Sequence, residues 1–229
     1  GMTDAVFPAH GISAQGTFLP EGYRPIRRLS SERGSPHGCK SGPVHLSFRP
    51  YPLLFEVIRM THTIYLVGAR AAGKTTFGGA LARRLGCRYV DTDVYLLETT
   101  GETVADIVAR EGWEGFRKRE SDVLRAVTAP GTVIATGGGM VLAEANRRFM
   151  RDNGIVLYLS APAEVLAARL QANPNAAQRP TLTGKSIVEE VNDILEAREA
   201  LYRDAATHVL NAAASPRELL AEALAILEK

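Results

Sequence analysis

One run of residues constrains this chain more than any other: Thr63-Ile-Tyr-Leu-Val67, followed at once by Gly68-Ala-Arg-Ala-Ala-Gly73-Lys74-Thr75. The first segment is apolar and β-favouring. The second fits G-x-x-x-x-G-K-[ST] at every position, and an amphipathic helix pattern then runs from Thr75 to about Leu85. A phosphate-binding loop requires strand, loop and helix in that order. The glycines let the backbone curl so that its N–H groups face phosphate oxygens, and the helix adds the positive end of its dipole. Lys74 is expected to reach the β- and γ-phosphates, and the Thr75 hydroxyl to hold Mg²⁺. A chain built around this unit is expected to bind a nucleoside triphosphate.

Charge narrows the partners. The net charge is +2, but residues 1–59 carry seven Lys/Arg against four Asp/Glu, and residues 60–229 carry 20 against 21. The folded part therefore lacks the basic excess of a polyanion binder, and nucleic acid is not expected as a partner. No apolar run approaches the ~20 residues of a membrane span. Cys39 and Cys87 have neither metal-ligand spacing nor a disulfide framework, which fits a reducing cytoplasm.

The first 59 residues differ in kind. Prolines and glycines recur through residues 1–50 without sustained helical or strand periodicity. Gly1 before Met2 resembles a tag remnant, and Met60 could itself be a start. The segment lacks the basic start and apolar core of a secretory signal. It reads as a dispensable, disordered or non-native extension, with an ordered arm as the alternative.

From residue 63 onward strands and helices alternate, which argues for α/β architecture with a mostly parallel sheet. Further strands are expected at 88–90, 132–135, 155–159 and 208–210. Helices are expected across 94–128 with breaks near Gly101 and Gly112, then at 142–152, 163–170 and 186–204. A last one opens on the capping box Ser215-Pro216-Arg217-Glu218. Residues 172–186 are polar and contain Pro and Gly.

Ligands of such sheets bind beyond the carboxyl ends of the strands. Three strand ends here carry unusual residues. Beside the phosphate loop, Asp91-Thr92-Asp93 can supply one acid to Mg²⁺ and another to a substrate hydroxyl; a plain helix cap is the alternative. Gly137-Gly138-Gly139 costs backbone entropy and suits close approach to a ligand, with N–H groups turned to an anion or a ring; a sharp turn is the alternative. In Glu114-Gly-Phe-Arg117-Lys-Arg-Glu120, Arg117 and Glu120 can touch at i,i+3. Lys118 and Arg119 read as an exposed charged face. Trp113 and Tyr202 read as packing residues, and Arg198 taken alone reads as a surface arginine.

Taken in order, these motifs resemble shikimate kinase over residues 62–228. The match rests on the phosphate loop, Asp91-Thr92-Asp93, Phe116-Arg117, Thr136-Gly-Gly-Gly139, Arg179-Pro180, and Arg198 with Leu201-Tyr202-Arg203. Val133-Ile-Ala-Thr-Gly-Gly-Gly-Met and Arg179-Pro-Thr-Leu-Thr-Gly-Lys look most like the second enterobacterial-type isoform. The resemblance implies a P-loop NTPase fold of nucleoside-monophosphate-kinase type. Its five-stranded parallel sheet would run in the order 2-3-1-4-5, flanked by helices, with an acceptor-binding region at about 94–120 and a mobile lid at about 172–186.

The resemblance also implies roles. ATP would contact Gly68, Ala69, Arg70, Ala71, Ala72, Gly73, Lys74, Thr75 and Thr76, with Arg169 against adenine. Thr75 and Asp91 would hold Mg²⁺. Asp93 would take the attacking 3-hydroxyl. Arg117 and Arg198 would clamp the shikimate carboxylate, helped by Gly137, Gly138 and Gly139. Arg179 would enter over the γ-phosphate. The catalytic residues would be Lys74, Asp93 and Arg179, in a cytoplasmic monomer whose partners are ATP and shikimate. Another small-molecule kinase of this fold, for gluconate or cytidylate, is the competing function. A non-catalytic shikimate-sensing homologue is a third.

Overall fold

The computed structural model describes residues 61–172 and 186–228. The extension before Thr61 and most of the expected lid, with Arg179, lie outside the described residues.

Five strands form one parallel sheet: β1 (Thr63–Val67), β2 (Arg88–Asp91), β3 (Thr132–Ala135), β4 (Gly154–Ser160) and β5 (His208–Asn211). Their order is β2-β3-β1-β4-β5, the order that the resemblance implied. In β1, Thr63 pairs with Thr132 on one side and with Gly154 on the other. Every residue of β1 and β3 is buried, as expected of parallel strands covered on both faces. Their unbroken apolar runs leave no solvent side for alternation.

The connecting helices are α1 (Lys74–Leu85), α2 (Thr92–Thr100), α3 (Val104–Val127), α4 (Glu144–Asn153), α5 (Ala163–Ala172), α6 (Ile187–Ala205) and α7 (Pro216–Leu227). A 3-10 turn spans Met140–Leu142. Helix α1 buries Phe77, Leu81 and Leu85, one stripe at i, i+4 and i+8. It stops at Gly86, a left-handed cap whose N–H returns to Ala82 and Arg83. Capping boxes start α3 at Thr103, α6 at Ser186 and α7 at Ser215.

Two boundaries differ from the sequence reading for a physical reason. Strand β2 runs on to Asp91, which is at once its last residue and the N-cap of α2. The helix expected from Leu142 is a 3-10 turn followed by α4, because the glycine turn closes through Met140 N–H to the Gly137 carbonyl. Within α3, Gly112 at φ 70° and ψ 179° breaks the helical course. That kink brings Glu111 and Arg119 into a two-pronged pair at 2.6 and 2.7 Å, a span of two straight turns. The charged face at Arg119 thus carries a local ion pair.

Candidate active site

The phosphate loop leaves the centre of the sheet. Gly68 sits at φ 147°, and a Cβ there would lie 2.8 Å from the Leu159 carbonyl oxygen, so the turn out of β1 has no room for a side chain. Lys74 Nζ donates to the carbonyls of Gly68 and Ala69 at 2.7 and 2.8 Å, latching the loop onto the start of α1. Ala71 is held at φ 61° in the same loop.

Asp91 is a helix cap, and its second oxygen is turned to the phosphate loop. Its Oδ1 accepts from the N–H groups of Asp93 and Val94, a helix cap. Its Oδ2 accepts from Thr75 Oγ1 at 2.9 Å. The cap therefore fixes the carboxylate that faces the phosphate loop. Behind the pair, the Tyr89 hydroxyl is pushed up to about 12 by burial and by the Asp91 charge. It is close enough to interact with Thr75 and Asp91, yet among the described residues it makes no well-formed hydrogen bond to either. Among the described residues no group of three or more His, Cys, Asp or Glu could cage a metal. A hydroxyl and a carboxylate facing phosphate oxygens suit a hard, oxygen-loving cation such as Mg²⁺, which keeps waters and takes few protein ligands.

A cavity of about 700 Å³ opens over the loop. Arg70 to Thr76 line it, with Asp91, Asp93, Gly137, Gly138, Arg169, Ala212, Ala214 and Pro216. Arg169 bridges its two walls, donating to the carbonyls of Ala71 at 3.4 Å and Ala212 at 2.8 Å. Arg117, Gly139 and Arg198 are not part of that lining; they meet at the glycine turn instead.

The three glycines are used differently. The Gly137 N–H donates to Thr92 Oγ1 at 3.0 Å, so this amide serves the turn itself rather than the cleft, contrary to the reading of all three amides as ligand-facing. A Cβ on Gly137 would lie 2.6 Å from Glu120 Oε1 and 3.2 Å from Asp93 Oδ1. Gly138 packs between the phosphate-loop backbone and Tyr202, and its carbonyl accepts from Tyr202 Oη at 2.7 Å and Arg198 Nη1 at 3.3 Å. A Cβ on Gly139 would overlap the Arg117 guanidinium.

Arg117 is held from several sides. It pairs with Glu120, and its Cζ stands 5.4 Å from the Trp113 ring centre and 5.3 Å from that of Phe116. Glu120 is buried, not part of an exposed face. Burial raises its carboxyl above the usual range, the Arg117 charge opposes that, and Asp93 adds to it. Trp113, read as packing, is 43% exposed and meets Phe116 edge-on. Tyr202 is in the core as expected, but its hydroxyl does more than pack.

Glu120 and the Tyr202 hydroxyl are the site residues that sequence reasoning passed over. The i,i+3 spacing to Arg117 was the signal for the first. For the second the signals were its place one turn after Arg198 and the Leu201-Tyr202-Arg203 run.

Comparison with known proteins agrees with the geometry. Residues 70–228 match the family model described as shikimate kinase. Shikimate kinase 2 of Syntrophotalea carbinolica is 67% identical over 170 residues, covering 74% of this chain and 99% of that protein. Shikimate kinase 2 of Pectobacterium carotovorum is 59% identical over 168 residues, covering 73% and 97%. A solved shikimate kinase from Acinetobacter baumannii in complex with shikimate superposes with a TM-score of 0.69 at 36% identity, covering 75% of this chain and 96% of that one.

Proposed function

The chain belongs to the shikimate kinase family, and from that membership we propose that it transfers the γ-phosphoryl group of ATP to the 3-hydroxyl of shikimate. The products are shikimate 3-phosphate and ADP. The observation that carries the reading is the glycine turn, which touches the phosphate loop through Gly138 and seats Arg117 at Gly139. A nucleotide bed and an anion-binding pair of arginines thus share one hinge of backbone.

Phosphoryl transfer needs alignment and charge neutralisation more than covalent chemistry from the protein. Lys74 would leave the loop carbonyls for the β/γ-phosphates. Thr75 and Asp91 would hold Mg²⁺, which when bound neutralises phosphate charge. Arg117 and Arg198 would take the acceptor carboxylate, a planar anion suited to guanidinium groups. Asp93, in the first turn of α2 beside Gly137, would orient the 3-hydroxyl and accept its proton. That oxygen forms the new bond to phosphorus as the bond from the γ-phosphorus to the β–γ bridging oxygen breaks. Arg169 bridges the walls of the bed where adenine would lie. By the resemblance, Arg179 would meet the γ-phosphoryl group.

The reading extends to residues 60–229 as the catalytic unit, with acceptor contacts from about 94–120, acting as a monomer in the cytoplasm. Two cysteines without disulfide spacing support that compartment. Among the described residues no helix is long and apolar enough to cross a membrane.

The test is ADP release from Mg-ATP with and without shikimate, in the wild-type chain and in Asp93→Asn. Shikimate-dependent release that collapses in the variant is expected. Release indifferent to shikimate would reject the acceptor.

A further inference from the structure

The Gly138 carbonyl is the meeting point of two side chains that lie one turn apart on α6. Tyr202 donates its phenol to it at 2.7 Å, and Arg198 donates Nη1 at 3.3 Å. A carbonyl oxygen has two lone pairs, and these two donors occupy both. Tyr202 is fully buried and stacked on Tyr158, with ring centres 5.1 Å apart and planes 17° apart. Tyr158 is pinned in turn by its hydroxyl, which donates to Glu199, itself held by Arg203. The tyrosine stack can hardly move, whereas Arg198 has a long side chain on a weaker bond. Burial raises the Tyr202 hydroxyl above its ordinary 10.0, so it stays a protonated donor.

We propose that Tyr202 is a positioning residue that keeps the Gly138 carbonyl satisfied, so that Arg198 can leave it for the carboxylate of the acceptor. The inference rests on the reading that Arg198 binds that carboxylate. With the phenol present, Arg198 departs and the carbonyl keeps its shorter bond. Without it, Arg198 is the carbonyl's remaining partner in this pair, and drawing it to the substrate leaves a part-buried acceptor without either side-chain donor. The peptide bonds of the described residues are trans, so the Gly139 N–H points to the opposite side of that peptide from Tyr202. Holding the carbonyl therefore also holds that amide's direction. A residue acting this way alters acceptor binding and leaves the chemical step alone.

The experiment is steady-state kinetics of Tyr202→Phe, Tyr158→Phe and Arg198→Lys, varying shikimate at saturating Mg-ATP, with ADP affinity and thermal melting measured alongside. Tyr202→Phe keeps the ring and its stack. It is expected to raise KM for shikimate on the order of tenfold, with kcat within about twofold and ADP affinity unchanged. Tyr158→Phe, whose hydroxyl reaches Glu199 rather than the turn, is expected to lower the melting temperature and to move KM far less than Tyr202→Phe does. An unchanged KM in Tyr202→Phe overturns the proposal. So does an equal KM rise in Tyr158→Phe, which would mark general loosening. If Arg198→Lys leaves KM unchanged, the carboxylate reading falls and this inference with it. If Arg198→Lys raises KM and Tyr202→Phe does not, only this inference falls. Should Tyr202→Phe fail to fold, a crystal of the wild-type chain with shikimate decides. Arg198 withdrawn from the Gly138 oxygen, with Tyr202 still bonded, supports the proposal; Arg198 still on that oxygen overturns it.

Discussion

Tyr89 carries a buried hydroxyl that makes no well-formed hydrogen bond among the described residues, although Thr75 and Asp91 are within reach. Leaving a buried polar group unpaired costs about 1–3 kcal/mol. Tyr89→Phe removes the orphan and keeps the ring, so it should raise unfolding stability by about 1 kcal/mol. A shift of the denaturant midpoint at constant slope would show it; a lower midpoint would mean that the hydroxyl is already useful. Gly139 makes the opposite case. Its φ of −96° is ordinary, so Gly139→Ala acts only through its methyl group, which displaces Arg117. A misplacement of about 1 Å can cost 10²-fold, and a loss of that order in kcat/KM for shikimate is expected, with ADP affinity unchanged. The motif residues were legible because they are neighbours in sequence. Glu120 was not: it sits in a run of charges, and only the fold shows that it is buried beneath the glycine turn.

At the scale of elements, α3 depends on one residue. Gly112 adopts φ 70° with ψ 179°, an extended positive-φ conformation that is essentially glycine's own and costs a side-chain-bearing residue about 1–3 kcal/mol. Gly112→Ala should lower stability by roughly that amount. It should also weaken the Glu111–Arg119 pair that the kink permits. Chemical denaturation with the double variant Gly112→Ala/Glu111→Gln separates the two effects: if they share a cause, the second change adds little. The capping boxes at Ser186 and Ser215 were readable because a cap is local chemistry within four residues. The end of β2 was not readable, because Asp91 serves strand and helix together and no loop residue marks the join. The 3-10 turn was missed for a similar reason: glycine backbone bonds, not side-chain periodicity, define it.

Across the whole molecule, acid is the simplest probe. Hydrogen bonds from Thr103 and Arg147 hold Asp106 and Asp204 below the ordinary 3.8, and Ser215 and Arg119 hold Glu218 and Glu111 below 4.5. Each carboxylate is favoured ionised in the fold. Each therefore adds stability above its unfolded pKa and loses it as pH falls through the folded one. Glu120 runs the other way: burial raises it, so its ionisation above 4.5 erodes stability. Melting temperature should accordingly fall as pH drops below 4.5, and Asp204→Asn should remove part of that fall. A profile that is flat to pH 3 would contradict it. The sheet order came with the family resemblance and not with periodicity, since alternation gives parallel strands but no neighbours.

That order has a consequence for how the protein is born. Strand β1 stands at the middle of the sheet and comes first of the five in the chain, yet its partners are Thr132–Ala135 and Gly154–Ser160. Until those segments leave the ribosome, β1 has no neighbour to pair with, and non-local pairings form late. The strand that launches the phosphate loop waits unpaired while its partners are made. A nascent chain stalled before Thr132 should be cut readily by protease whether or not ATP is present, and protection by ATP should appear only after Ser160 has emerged. Synthesis and nucleotide capture are thereby separated in time by the same topology that places the loop at the centre of the finished enzyme.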